Sequence, residues 1–122
     1  GLAVSLMSFS YKRGVPRSVD MVFDCRFLRN PYWDSSLRSL DGRSADVANY
    51  VQQDARFMPF LEKVTDLCAL LLPAYKEEGK SPLSIGFGCT GGQHRSVYIC
   101  EKLLGRFSKN MVNVQLRHRE LN

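Results

Sequence analysis

Eight consecutive residues, Cys89-Thr90-Gly91-Gly92-Gln93-His94-Arg95-Ser96, crowd a thiol, an imidazole, a guanidinium and two hydroxyls into one turn. An apolar run, Leu83 to Phe87, precedes them as a short strand, and an amphipathic helix follows with His94, Arg95 and Ser96 in its first turn. Gly88, Gly91 and Gly92 carry no Cβ and Thr90 is small, so backbone N–H groups there can come close to a ligand. The positive end of the helix points to the same place, and Arg95 can add a two-pronged fork to phosphate or carboxylate oxygens. The chemistry expected of such a turn is anion binding, with phosphate the leading ligand.

Two other chemistries use the same residues. Cys89, five intervening residues, Arg95 and Ser96 match the spacing of the protein tyrosine phosphatase loop, where a thiolate attacks phosphorus while amides and the arginine hold its oxygens. Here Gly88 precedes the cysteine instead of the His usual in that loop. The pattern assigns no general acid, although Asp24 or Asp34 could be proposed, and the alternative catalytic pair is Cys89 and Arg95. A metal site of Cys89, His94 and His118 has no paired ligand spacing, and Arg117 and Arg119 flank His118. No metal and no cofactor are expected. The segment Gly79-Lys80-Ser81 ends like a nucleotide-binding P-loop, but Ala74 replaces its first glycine and it precedes its strand.

The positioning elements follow from hydrophobic period. Residues 2–9 and Val19 to Phe27 read as strands, the second turning charged at Asp24 and Arg26, which should share one face where ligands of open α/β sheets lie. The alternative reading has Asp24 and Arg26 pairing with neighbours in a structural ion network. Residues 28–43 form a long loop, whose Asn30, Tyr32 and Trp33 either line a pocket or anchor it. Ser44 should cap a short helix through about Asp54. Phe57, Phe60, Leu61, Val64, Leu67, Cys68, Leu71, Leu72 and Tyr75 form the apolar stripe of a longer helix that Pro73 should end or kink, with Gly79 at its exit. A helix from about Gln93 to Lys109 and a strand from Met111 to Arg117 complete the chain. The expected fold is α/β: a small, mostly parallel sheet flanked by helices, with a right-handed crossover and a phosphate-binding strand–loop–helix at 83–108.

With 122 residues, 44% hydrophobic and 24% charged, the chain reads as one globular domain, 1–122. No apolar run approaches the roughly 20 residues that span a bilayer, and no signal pattern opens the chain, so a soluble, cytoplasmic protein with reduced thiols is expected. Net charge is +5, placed at the two ends: seven Lys/Arg against four Asp in 1–43, four against six acids in 44–80, and six against two in 81–122. Such asymmetry suits an anionic partner such as RNA as well as it suits a solvated surface.

Taken together, the 88–96 block, Val22-Phe-Asp-Cys-Arg-Phe-Leu28, Asn30-Pro-Tyr-Trp33 and Arg117-His-Arg119 resemble the C-terminal domain of the RapZ (YvcJ/YhbJ) RNase adapter protein family, over nearly the whole chain. The resemblance implies binding of glucosamine-6-phosphate and of small regulatory RNAs presented to RNase E. It also implies a homo-oligomer in the full-length protein, whose N-terminal nucleotide-binding domain lies outside this chain. It places Cys89, Thr90, Gly91, Gly92, His94 and Arg95 on the sugar-phosphate loop, with Asp24, Arg26, Asn30 and Tyr32 on the adjoining strand end and loop. Many members have His where Tyr32 stands. For RNA, Lys102, Arg106 and Lys109 on the last helix and Arg117 and Arg119 on the last strand are the candidates, and the lysine-rich tail of some members is missing from this sequence.

Overall fold

The computed structural model describes residues 1–121. Four strands, β1 (Ala3–Ser10), β2 (Met21–Asp24), β3 (Leu83–Cys89) and β4 (Asn113–His118), form one sheet in the order β2-β3-β1-β4. Every pairing is parallel, so the sheet is more uniform than the mostly parallel one expected. In register, Ser10 lies opposite Cys89 and Asp24 opposite Gly88, which brings the carboxyl ends of β1, β2 and β3 together at one rim. In parallel α/β sheets that rim is where ligands collect.

Three α-helices, α1 (Ala45–Gln52), α2 (Phe57–Glu77) and α3 (Arg95–Lys109), and a 3₁₀ turn at Pro31–Trp33 complete the fold. Helix α3 links β3 to β4 and crosses β1, because β1 lies between those two strands. Its first two turns, Arg95 to Cys100, are buried throughout. Ser44 caps α1 as expected, its Oγ accepting from the Asp46 N–H. Of the α2 stripe, Phe57, Leu61, Val64, Cys68 and Leu72 are buried with Leu6, Ile85, Phe87 and Leu103 in the core. Leu67 departs from expectation and faces solvent.

Three boundaries differ from the sequence reading. Pro73 neither ends nor breaks α2, which runs four residues further, to Glu77. Pro73 and Ala69 are both on the exposed face, where water can take the carbonyl that proline leaves without a donor. The true stop is Gly79, at φ +81, with Lys80 N–H bonded back to the Tyr75 carbonyl. Strand β2 is four residues long, since the chain turns at Cys25 once the Cys25 N–H has bonded Gly88 O at 2.7 Å. Strand β4 starts at Asn113 because Met111, at φ +64, is not extended.

Asp54 ties the 28–43 loop to the helices. Its carboxylate accepts from Arg56 Nε and Nη2 and from the Arg56 and Arg29 backbone N–H groups, all at 2.8–2.9 Å. Chiefly through the Arg56 side chain, its pKa is held far below the ordinary carboxylate range. The stabilisation is therefore present above the unfolded value near 4 and lost as pH falls below it. Asp54→Asn should cost about 1–2 kcal/mol at neutral pH and flatten the decline in stability below pH 4, measured by urea unfolding across pH.

Candidate functional site

Strand β3 delivers Cys89 to the rim, and residues 90–94 carry the chain from there into α3. Three bonds fix that connection from below: Tyr11 N–H to Cys89 O at 3.0 Å, Ser10 Oγ to Thr90 O at 2.6 Å, and Gly42 N–H to Gln93 O at 2.8 Å. Gly92 sits at φ +68, and a Cβ there would stand 2.6 Å from Glu120 Cγ and 2.7 Å from Ser10 N. Only glycine makes that bend with the chain so close. The Glu120 side chain is itself only 5% exposed. Its Oε2 accepts from the Ser10 N–H at 2.9 Å and from Arg119 Nε at 2.8 Å, and although burial opposes ionisation, these donors and Arg13 hold its pKa down.

Arg95 is 4% exposed. Its Nη1 donates to the carbonyls of Arg26 at 2.7 Å and Leu28 at 3.0 Å, which staples the turn after β2 onto α3. Its Nη2 reaches Thr90 Oγ1 at 3.4 Å, and its buried Nε has no partner. The Nε–Nη2 edge is the one that grips carboxylates in a fork, as Arg26 grips Asp24 here. His94, 8% exposed, likewise has a buried Nε2 without a partner. Cys89 Sγ lies 3.1 Å from Ser96 Oγ and 3.5 Å from the Ser96 backbone N.

These groups line a cavity of about 380 Å³, walled by Lys12, Asn30, Tyr32, Trp33, Arg38, Cys89, Thr90, Gly91, Gln93, His94 and Arg95. Of the residues expected at the ligand, Asn30, Tyr32, Cys89, Thr90, Gly91, His94 and Arg95 meet there. Gly92 is behind the loop, shaping it. Asp24 and Arg26 are not in the wall: they grip each other, Nη2 to Oδ2 at 2.7 Å, while the Arg26 guanidinium lies 3.9 Å over the Tyr11 ring. That bond lowers the Asp24 pKa and raises that of Arg26. Their visible role is a mutual ion pair, with the Arg26 carbonyl serving Arg95.

Sequence reasoning missed Lys12 and Arg38, which come from distant turns, and Gly42, whose backbone packs against the start of α3. His118 does not join Cys89 and His94. It bridges Ser8 Oγ and Glu101 Oε2, at 2.7 Å each. Among the described residues, no three His, Cys, Asp or Glu side chains are grouped to hold a metal ion.

The basic candidates fall into two sets. Lys102, Arg106 and Lys109 surround a shallow depression of about 210 Å³ on α3, with Glu101 and Gly105, and Arg106 lies 3.5 Å from Glu62. Arg117 is exposed on β4. Arg119 is engaged, donating to Glu120, to Gly14 O at 2.8 Å and to Ser10 O at 3.3 Å. No helix of the described chain is long and apolar enough to cross a membrane.

The fold and site define an α/β domain with a parallel sheet whose strand–loop–helix rim holds a buried arginine beside a cavity. The family model for the RapZ C-terminal domain matches residues 2–122, and the chain belongs to that family. It is 64% identical over 120 residues to a nucleotide-binding protein of Cereibacter sphaeroides, strain KD131, covering 98% of this chain and 40% of that protein. It is 62% identical, with the same coverage, to a nucleotide-binding protein of Ruegeria sp. TM1040. A nucleotide-binding protein of Ruegeria pomeroyi is 56% identical over 98% of this chain and 42% of its own length. The chain thus spans about 40% of the length of the curated relatives it matches.

Proposed function

We propose that this domain is the ligand-sensing part of an RNase adapter protein: it binds a sugar phosphate, glucosamine-6-phosphate by family, in the cavity from Cys89 to Arg95. The observation that carries this reading is the Nε–Nη2 edge of Arg95. A buried guanidinium N–H without a partner costs free energy, and a phosphate monoester supplies the missing acceptors along with the charge the site lacks. The amides of the glycine-containing turn and the start of α3 add donors to the same oxygens. Calorimetric titration with glucosamine-6-phosphate, against glucosamine, glucose-6-phosphate and inorganic phosphate, tests it. Selective binding of the amino-sugar phosphate supports the reading, and no binding of any phosphate removes it.

In the same reading, small regulatory RNA meets the basic surface of α3 and β4, and the full-length homo-oligomer presents it to RNase E. Helix α3 carries the cavity on its first turn and Lys102, Arg106 and Lys109 on its later ones, so one rigid element touches both regions. Any coupling between them is reciprocal in affinity. Lys102→Ala combined with Lys109→Ala should weaken RNA binding across sequences and reduce the dependence of log K on log salt by about two, measured by filter binding at several salt concentrations.

A second reading has one specific observation behind it. Ser96 Oγ and N lie 3.1 and 3.5 Å from Cys89 Sγ, beside the sulfur that a cysteine phosphatase would use as its nucleophile. Sulfur would attack phosphorus and break its bond to the ester oxygen, which would take a proton from solvent, and water would then cleave the phosphocysteine to inorganic phosphate and the free thiol. Asp24 is occupied by Arg26, and Asp34 accepts from Ser36 N and Oγ, so neither is aimed as the proton donor. Phosphate release lost in Cys89→Ser would establish this chemistry; binding without release favours the sensor.

A further inference from the structure

At the mouth of the cavity stand two large aromatic side chains that the core does not use. Trp33 is 77% exposed and Tyr32 56%. Their rings stand nearly perpendicular, at 80°, with centroids 6.4 Å apart. The turn that carries them is held on several sides. Asn30 caps it, Oδ1 accepting from the Tyr32 N–H at 3.1 Å, and Pro31 is buried beneath. Arg38 Nε donates to the Tyr32 carbonyl at 2.6 Å while its guanidinium lies 4.9 Å over the Tyr32 ring. Upstream, Arg95 grips the Arg26 and Leu28 carbonyls, and Arg29 is bonded through its N–H to Asp54 and through Nη1 to Gln53.

An exposed tryptophan on a braced turn contributes little to folding, and its hydrated apolar surface is unfavourable. A braced aromatic beside a pocket can stack a ligand without a large ordering cost. The partner must also suit the rest of the wall, where Arg95 and His94 lie within and Lys12 and Arg38 contribute cations.

We infer that Trp33, with Tyr32 and Arg38 behind it, forms a ring subsite that selects phosphate monoesters carrying a ring over inorganic phosphate and acyclic phosphate esters. This inference rests on the phosphate reading of the Arg95 loop. The indole face is electron-rich, so it matches either the polarised C–H face of a sugar ring or the face of a nucleobase. Arg38 orders the ledge and places positive charge beside the ring's polar substituents. The anion loop gives affinity for phosphate as such, and the ledge gives the distinction among its esters.

Trp33 is the single tryptophan of the chain, so its fluorescence reports the subsite directly. Titration of the protein with glucosamine-6-phosphate, adenosine 5′-monophosphate, glycerol 3-phosphate and inorganic phosphate should change Trp33 emission only with one or both of the first two. Which of the two acts identifies a sugar ring or a base as the stacked group. By calorimetry, Trp33→Ala should lower affinity for that ligand about tenfold while inorganic phosphate binds as before, and Trp33→Phe should restore most of it. Equal affinity of all four for the native protein, an unchanged ring preference in Trp33→Ala, or a matching loss for inorganic phosphate would each overturn the subsite. Loss of every phosphate from the native protein would instead sink the underlying reading, and the subsite with it.

Discussion

Arg95→Ala is expected to abolish sugar-phosphate binding and to destabilise the domain at the same time. The sequence alone assigns Arg95 only to the ligand, which predicts a clean loss of affinity in an intact fold. The buried side chain has a second duty: Nη1 satisfies the carbonyls of Arg26 and Leu28. Truncation leaves both without that donor and opens space in a packed region, at a cost of about 3 kcal/mol. Affinity should fall about 100-fold or more, because the charge and the fork are lost together. Arg95→Lys separates the two roles. A lysine keeps the charge but cannot hold two carbonyls and fork a phosphate simultaneously, so it should recover part of the affinity and little of the stability. Calorimetry for binding and urea unfolding for stability measure both. An alanine variant as stable as the native protein would show that the turn after β2 does not depend on this staple.

The same residue shows what was legible in the sequence. The strand–glycine–helix pattern announced that Cys89 to Arg95 would lie at the end of a strand and the start of a helix, and seven of the ten expected ligand residues line one cavity. These are local features, set by hydrophobic period and by residues that suit only one kind of turn. Asp24 and Arg26 fail as wall residues for a reason local pattern does not decide. Both readings place them two apart at a strand end, and only the turn at Cys25 lets the arginine fold back onto its own neighbour. Lys12 and Arg38 depend on how two turns distant in sequence arrive at one rim. Pro73 illustrates the opposite limit: the residue lacks a helix donor wherever it stands, but whether the helix stops depends on which face it occupies.

Gly42→Ala is expected to disturb the site strongly although residue 42 is not in the cavity wall. Nothing in Asp41-Gly42-Arg43 marks it in the sequence beyond a turn between charged residues. In the fold, its N–H bonds Gln93 O at 2.8 Å, and an added Cβ would lie 2.4 Å from His94 O, 2.5 Å from Tyr98 N and 2.8 Å from Val97 Cβ. Those first two atoms are the acceptor and donor of a single bond, Tyr98 N–H to His94 O at 3.0 Å, at the start of α3. The methyl therefore meets backbone, which cannot rotate aside as a side-chain tip could. Either the 41–43 turn lifts away and gives up its bond to Gln93, or α3 unwinds at the end that carries His94 and Arg95. Both displace the cavity wall, at a cost of about 3 kcal/mol or more. Urea unfolding should show that loss, and phosphate affinity should fall with it although residue 42 touches no ligand. Gly105→Ala is the matched control, because a Cβ there has nothing within 4 Å and its helical position favours alanine. Native stability and affinity in Gly42→Ala would mean that the start of α3 yields to its neighbour, and that the donors at the cavity are not held as rigidly as the close packing of residues 42, 94 and 98 requires.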